Sequence, residues 1–232
     1  MNNAIYETTT TAGVLAGMLQ FCGKKDPRKA INGVYLCASP NGAPMMAATN
    51  GNILGAMPLN AGDAAPSLPV VIPSDLIAKI KTTPRNGGDA VKITVEYYGE
   101  ERVFTTLEHN GATFSQAHDR QRFPEFWRIV PTETSGEVGQ YAPHLLSAFT
   151  KAAGYFMGKT PKGYEIHISH NGRDGAARVH IPAVPEFVGV IMPYKNDEVE
   201  NGIDDALPFW AREQDAETQA AMRKALLQKD AA

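Results

Sequence analysis

Three histidines are the side chains of this chain best suited to metal chemistry, because imidazole nitrogens are common metal ligands. His167, His170 and His180 fall in segments that are predicted to form neighbouring strands. Residues an odd number of positions apart on a strand point to opposite faces, so His167 and His170 cannot easily bind one metal. We therefore predict neither a metal site nor a cofactor.

The other reactive side chains show no catalytic spacing. Cys22 and Cys37 lack the CxxC spacing of zinc and redox sites, which predicts two reduced, partly buried thiols. The sequence has no glycine-rich phosphate loop, no nucleophile elbow and no HExxH helix, and its carboxylates are scattered. An enzyme on an unrelated fold is therefore the least favoured of three functional hypotheses, and we expect a protein that is not an enzyme.

Length and composition are those of an ordinary globular chain. With 232 residues, 43% hydrophobic and 20% charged, it can form one large domain or one domain and part of another. A net charge of −3 argues against a uniformly basic surface for nucleic acid, although it leaves room for local basic patches. No apolar run approaches the length of a membrane span, so the cytoplasm is the expected compartment.

Hydrophobic periodicity predicts a structural unit that occurs three times. The first unit has an amphipathic helix over residues 12–22. Its strands are predicted over residues 31–39, 44–49 and 53–59. The second unit begins with a strand over residues 70–72 and a short helix that Ser74 could cap. Its further strands are predicted over residues 91–98, 102–108 and 112–117.

The third unit repeats this order with an extended segment over residues 137–141 and a helix from Pro143 to Phe156. Its strands are predicted over residues 164–170, 176–181 and 187–192. One such unit leaves its helix stripe and one sheet face exposed, whereas two packed units bury both. The third unit has no partner within the chain, so we predict that its exposed stripe and sheet edge associate with another copy.

Four sequence segments occur in an order that resembles one known family. Ala30-Ile-Asn-Gly-Val34 and Ala47-Ala-Thr-Asn-Gly-Asn-Ile-Leu54 lie in the first unit. Arg122-Phe-Pro-Glu-Phe-Trp-Arg-Ile-Val-Pro131 joins the second and third units, and Val190-Ile-Met-Pro193 closes the third. Together they resemble the bacterial sliding clamp, the beta subunit of DNA polymerase III.

The resemblance implies an α+β fold, the DNA clamp, in which repeated strand–helix–three-strand units form antiparallel sheets with helices on one face. Residues 1–131 would form a clamp-like domain of two units. Residues 132–195 would be a third unit, equivalent to a truncated last domain, and residues 196–232 an acidic linker and tail helix. The family's first domain would be missing.

The resemblance also implies a hydrophobic cleft that binds short peptides from DNA polymerases and other partners. Carried over by position, the cleft comprises Ile31, Thr49, Gly51, Asn52, Ile53, Leu54, Pro124, Arg128, Ile129, Val190 and Met192. The alternative is that these are ordinary core residues at a seam between units. Asn50 replaces the family's aspartate and Asn52-Ile53 its histidine-arginine pair, which leaves partner specificity open. Asn50-Gly51 predicts a tight hairpin, because both residues tolerate positive φ.

Double-stranded DNA is the second partner that the resemblance implies, because the family's inner helices face the duplex. Cations there would contact phosphates weakly and without sequence preference. The candidate residues are Lys24, Lys25, Arg28, Lys29, Lys79, Lys81 and Lys151. The alternative is that lysines near helix C-termini complement the helix dipole.

The tail contains a segment that looks like the leucine- and phenylalanine-bearing peptides of clamp partners. This segment is Leu207-Pro208-Phe209-Trp210. One hypothesis is that it docks in its own or a neighbour's cleft, and the other is that it covers a sheet.

The leading functional hypothesis is a processivity or accessory factor that encircles or contacts duplex DNA without sequence specificity. The alternative is a ring-less protein-interaction module that binds or competes for clamp-binding peptides. The unpaired third unit predicts a homo-oligomer, either a dimer or a tetramer. Four chains of three units would supply the twelve units of a family ring.

Overall fold

Within residues 4–60, 62–159 and 165–194, which the computed structural model describes, the chain forms eleven strands and three α-helices. The helices are α1 (Ala12–Met18), α2 (Ser74–Ile77) and α3 (Pro143–Phe156). The strands of the first unit are β1 (Ala4–Thr11), β2 (Gly33–Ala38), β3 (Pro44–Thr49) and β4 (Ile53–Pro58). Those of the second are β5 (Val70–Pro73), β6 (Ala90–Tyr98), β7 (Arg102–His109) and β8 (Ala112–Asp119). Those of the third are β9 (His167–Ser169), β10 (Ala177–His180) and β11 (Val188–Ile191).

The strands form two antiparallel sheets, with the order β1-β6-β7-β8 in the smaller and β5-β2-β3-β4-β11-β10-β9 in the larger. The first strand of each of the first two units pairs within the other unit's sheet. Tyr6 of β1 thus lies opposite Val95 of β6, and Ile72 of β5 opposite Val34 of β2. The third unit instead extends the first unit's sheet, because β11 pairs with β4. The predicted α+β class with antiparallel sheets is confirmed.

The main hydrophobic core lies between the sheets and helices and includes side chains from all three units. Leu15, Ile93 and Phe149 are fully buried in it. Phe21 packs edge-on against Phe149, with ring centroids 5.0 Å apart. Gly55 of β4 is required here, since a Cβ at this position would lie 2.6 Å from the Phe21 ring. Because this core is continuous, the division of the chain at residue 131 stays a prediction.

The expectation that the third unit leaves its helix stripe exposed is wrong. Leu145, Phe149 and Ala152 of α3 are buried, and α3 packs against α1. Phe156 lies over Gly17 of α1, where a side chain would collide with its ring. The physical reason is the shortness of α2, a single turn, which leaves a face of α1 available to α3.

Most strands begin or end one to three residues from their predicted bounds, β1 was not predicted, and three further differences concern the helices and residues 137–141. Helix α1 ends at Met18 rather than residue 22, and its cap is Thr11, whose Oγ1 accepts a bond from the Val14 N–H at 3.2 Å. Ser74 is the first residue inside α2 and does not cap it, since Pro73 holds the cap position. Residues 137–141 form no strand, because no described unit supplies the partner that β6 supplies to β1.

No helix in the described part of the chain is long and apolar enough to cross a membrane.

Candidate functional site

A second apolar cluster covers the face of the larger sheet that points away from the main core. Leu54 of β4 and Val190 of β11 lie opposite each other in it. The segment that joins the second and third units packs over them through Phe123 and Phe126, both buried. Tyr35 stacks on Phe123, with centroids 4.4 Å apart. The two phenylalanines thus anchor the Arg122–Pro131 segment on the sheet.

The turn between β3 and β4 is held by its own side chains. The Thr49 hydroxyl donates to the Ile53 carbonyl at 2.6 Å and accepts from the Gly51 N–H at 3.0 Å. Asn50 Oδ1 accepts from the N–H groups of Asn52, at 2.9 Å, and Ile53, at 3.0 Å. Of the predicted Asn50-Gly51 pair, Gly51 alone has positive φ, at +95°. The polar side chains of Thr49 and Asn50 therefore stabilise the turn.

Arg28 lies against this turn. A Cβ at Gly51 would be 3.1 Å from a guanidinium nitrogen of Arg28. The guanidinium donates to both carboxylate oxygens of Asp26, at 2.9 Å each, and the backbone N–H of Arg28 donates to Asp26 Oδ1 at 2.8 Å. The side-chain bond from Arg28 is the main cause that lowers the pKa of Asp26 to about 2. Arg28, predicted as a DNA contact, therefore lies beside Gly51, a predicted cleft residue.

Asn32 connects this arrangement to β2. Its Oδ1 accepts from the Asp26 N–H at 3.0 Å, and its Nδ2 donates to the Asp26 carbonyl at 2.7 Å. Asn32 therefore fixes the loop that presents Arg28 to the turn. Neither Asp26 nor Asn32 was among the predicted site residues, although Asn32 stands inside one of the four recognised segments.

The predicted cleft residues fall into two sets. The first set is buried and consists of Ile31, Thr49, Ile53, Leu54 and Val190. The second set, here called the exposed rim, consists of Gly51, Asn52, Pro124, Arg128, Ile129 and Met192. In the rim, Ile129 is 47% and Met192 37% exposed, unusually open for large apolar side chains. The Met192 N–H donates to the Asn52 carbonyl at 2.9 Å, so the end of β11 adjoins the turn.

The predicted DNA-contacting lysines are exposed but do not form one patch. Lys25 and Lys29 line a cavity of about 650 Å³ that also contains Arg102, Asp75 and Asp119. The carboxylates of Asp75 and Asp119 make the charge of this cavity mixed, which weakens its attraction for phosphate.

The other lysines lie elsewhere. Lys81 lines a separate cavity of about 340 Å³ with Gln20 and Tyr155, and its Nζ donates to the Ala78 carbonyl at 3.2 Å. That bond satisfies a carbonyl just after α2, which agrees with the alternative that lysines near helix C-termini stabilise the helix end. Lys24, Lys79 and Lys151 are exposed.

A further groove, of about 450 Å³, was not predicted from the sequence. It lies at the ends of β3 and β4 away from their turn and is lined by Met45, Pro58, Trp127, Val130 and Val188, among others. Trp127 packs on Phe126, with centroids 3.9 Å apart. Its side chains come from segments far apart in the sequence, so no local pattern could have indicated it.

His180 of β10 lies directly opposite His167 of β9, whereas His170 and the two cysteines lie elsewhere. His170 Nδ1 lies 3.1 Å from the Tyr141 hydroxyl, whereas His167 pairs with Glu165 at 3.4 Å. Among the residues that the structure describes, no three metal-binding side chains come together. Cys22 and Cys37 are free and buried, and burial raises the pKa of both thiols to about 12. Leu207, Pro208, Phe209 and Trp210 lie outside the described residues.

No protein-family model and no curated protein matches the sequence. Solved structures do match the fold. The DNA polymerase III subunit beta of Pseudomonas aeruginosa has a TM-score of 0.57 at 14% identity, over 82% of this chain and 66% of that one. The beta sliding clamp of Caulobacter crescentus has a TM-score of 0.60 at 13% identity, over 84% and 68%. The Thermotoga maritima beta subunit has a TM-score of 0.53 at 12% identity, over 84% and 67%.

The chain thus spans about two thirds of the length of the clamp chains that it matches. At 12 to 14% identity this likeness establishes the fold. The predicted resemblance to a shortened bacterial sliding clamp is confirmed at that level.

Proposed function

We propose that this chain, which has the fold of a shortened bacterial sliding clamp, is a clamp-like processivity or accessory factor in DNA replication. The observation that carries the proposal is the match to solved clamps over 82 to 84% of the chain. Such a protein acts by tethering and not by covalent chemistry. It would work in the cytoplasm as a homo-oligomer, with duplex DNA and a polymerase or other clamp-binding protein as partners.

The exposed rim is the proposed peptide-binding surface. Ile129 and Met192 offer apolar contacts beside the turn, and the buried Leu54 and Val190 support them from the sheet. Arg28, held by Asp26, places guanidinium N–H groups next to Gly51. An apolar surface with a few polar groups suits an extended peptide anchored by Leu or Phe. The tail segment Leu207–Trp210 would compete for the same surface.

Weak phosphate contacts are proposed for Lys24, Lys25, Lys29, Lys79, Lys81 and Lys151. Arg28 is left out of this set, because its charge is already paired with Asp26. Contacts of this kind carry no sequence preference and allow a protein to slide.

The mixed charge of the cavity at Lys25 and Lys29 favours a second candidate function, a ring-less module that binds or competes for clamp-binding peptides. This module would keep the exposed rim but would not encircle DNA. Retention on circular DNA distinguishes the two functions.

Peptide binding is tested with a short fluorescent peptide that carries adjacent Leu and Phe, by polarisation on the full-length chain. We expect the Ile129→Ala/Met192→Ala double variant to weaken binding about tenfold or more, because truncating apolar anchors costs roughly 1–2 kcal/mol each. The matched control is Ile5→Ala, which removes an apolar side chain that is 63% exposed on the smaller sheet. Equal affinity of the double variant and the wild type would show that the rim does not bind peptides.

A further inference from the structure

The two sheets of the described chain present four edge strands, β1 and β8 in the smaller and β5 and β9 in the larger. Three of them are short or covered. β9 has three residues, and β5 has four and ends at Pro73. β1 is covered by the loop after β4, because Asn60 donates to the Thr9 carbonyl and Asp63 accepts from the Thr8 hydroxyl.

The fourth edge, β8, is long and open. Its eight residues pair with β7 along their whole length, from Ala112 opposite His109 to Asp119 opposite Arg102. The hairpin turn between β7 and β8 is fixed by positive φ at Asn110, 48°, and Gly111, 77°. The strand therefore presents one row of backbone N–H and C=O groups that no described strand pairs.

β8 also lacks the devices that normally protect a sheet edge. It contains no proline, lysine or arginine, its one charged residue within these bounds is Asp119 at the last position, and its exposed side chains Thr113, Ser115 and Ala117 are small. Natural sheets usually block a long edge of this kind by charge, proline or a bulge, because an open edge pairs with other strands. Over residues 112–117 the edge has none of these protecting features, so it is suited to pairing.

The pairing between the first and third units indicates which strand fits this edge. β4 and β11, each the last strand of its unit, pair antiparallel, from Val188 opposite Ala56 to Ile191 opposite Ile53. β8 holds the same position in the second unit. Since β4 and β11 pair with each other, β8 is the one last strand of the three described units without such a partner, and the matching strand is the β8 of a second copy.

We infer that β8 pairs antiparallel with β8 of a second copy, so that two smaller sheets join across a twofold axis. The inference concerns self-association and does not depend on the proposed peptide or DNA functions. Directly opposite residues of an antiparallel pair point to the same face. With the axis near the middle of the strand, Ser115 therefore faces either Ser115 or Ala117 of the second copy.

Cysteine crosslinking tests this geometry. The full-length Ser115→Cys variant, alone or mixed with Ala117→Cys chains, should form an inter-chain disulfide, because opposite Cα atoms lie about 4.5–5.5 Å apart. The native Cys22 and Cys37 are buried and should not compete. The control is Thr106→Cys. Thr106 lies on β7, the strand next to β8, on the same face as Ser115, and its Oγ1 is 3.0 Å from Ser115 Oγ.

Two Thr106 residues would be about three strand spacings apart, roughly 14 Å, too far for a disulfide. The inference is supported if the β8 cysteines crosslink quickly while the Thr106→Cys variant forms no inter-chain disulfide. If neither β8 combination crosslinks faster than Thr106→Cys, β8 does not pair with its copy. Crosslinking that requires deletion of residues 195–232 would also overturn it, by showing that the tail occupies the edge.

A charge-reversal experiment tests the same contact in solution. Ser115→Lys and Ser115→Glu each place like charges near the twofold axis, so each should weaken self-association by about fivefold or more. A mixture of the two variants should regain the wild-type mass in sedimentation equilibrium. Unchanged association of the single variants, or no recovery on mixing, contradicts the inference.

Discussion

Arg28 connects the two functions that were predicted for this chain, since it lies in the basic loop by sequence and at the peptide turn by position. Its guanidinium bonds to Asp26 and lies against Gly51. A paired cation of this kind is held in place and can direct a hydrogen bond towards a ligand carbonyl. The ion pair with Asp26 therefore fixes the guanidinium of Arg28 beside Gly51.

The Asp26 titration measures that positioning. The pKa of Asp26 is about 2 against an ordinary 3.8, mainly through the Arg28 side chain. Since folding lowers this pKa, the carboxylate's stabilising contribution is present above about 3.8 and is lost as the pH falls through about 2. We expect Arg28→Ala to raise the Asp26 pKa most of the way to its ordinary value, with the backbone bond keeping it slightly below.

The measurement is an NMR titration of the Asp26 carboxyl group. Arg128→Ala is the matched control, because it breaks a different exposed ion pair, with Glu125 at 2.8 Å. An Asp26 pKa that Arg28→Ala leaves at about 2 would mean that the Arg28 side chain is not what lowers it, and a wild-type pKa near 3.8 would mean that the pair does not form in solution.

Single residues were predictable from the sequence where their role is local. Gly51 was identified by its turn, and the turn does require positive φ there. Asp26 and Asn32 were missed, because their bonds join positions six apart in an irregular loop that has no periodicity. Thr49 was assigned to the cleft by resemblance, whereas its hydroxyl bonds to the turn backbone.

At the scale of elements, the contact between α1 and α3 depends on close backbone approach. The Gly13 N–H donates to the Gly87 carbonyl at 2.7 Å. A Cβ at Gly13 would lie 2.7 Å from the Tyr155 carbonyl oxygen and 2.9 Å from that of Gly87. Both obstacles are backbone atoms and cannot rotate away, so the helices themselves would have to separate.

We therefore expect Gly13→Ala to destabilise the fold by about 1–3 kcal/mol, the usual range for overpacking. Urea denaturation monitored by circular dichroism gives the difference. Gly88→Ala is the control, because a Cβ there meets nothing within 4 Å. Equal midpoints for the two variants would show that α1 and α3 are not packed as closely as described.

Periodicity predicted α3 to the residue but not its neighbour. The stripe of Leu145, Phe149 and Ala152 indicates which face is apolar, and no local pattern states what will cover that face. The covering helix is α1, over 120 residues away in the chain, and it is accessible only because α2 stops after one turn. Alternation and turn residues are local signals, and they located ten of the eleven described strands to within three residues, but they missed β1.

At the scale of the whole molecule, the three units per chain determine how many chains a closed ring would need. With a chain mass of 25.1 kDa, two chains give 2 × 25.1 = 50.2 kDa and four give 4 × 25.1 = 100.4 kDa. In the described part of the chain, β8 is one sheet edge, and β9, a strand of three residues, is another. If β9 also paired with a second copy, the two self-contacts would permit a closed assembly of four chains with the twelve units expected of a clamp ring.

A closed ring is held on DNA by topology and not by affinity, so ring closure can be tested by retention on circular DNA. We expect the wild type to be retained on nicked circular plasmid at high salt and released when the plasmid is linearised, since high salt removes phosphate contacts. Ser115→Lys should open the ring at β8 and abolish retention on the circle, while Ile5→Ala, exposed on the same sheet, should not. If Ser115→Lys is retained as well as the wild type, retention on DNA does not depend on β8 pairing. A wild type that sediments at 50.2 kDa and leaves circles as fast as linear DNA would instead favour the ring-less peptide-binding module.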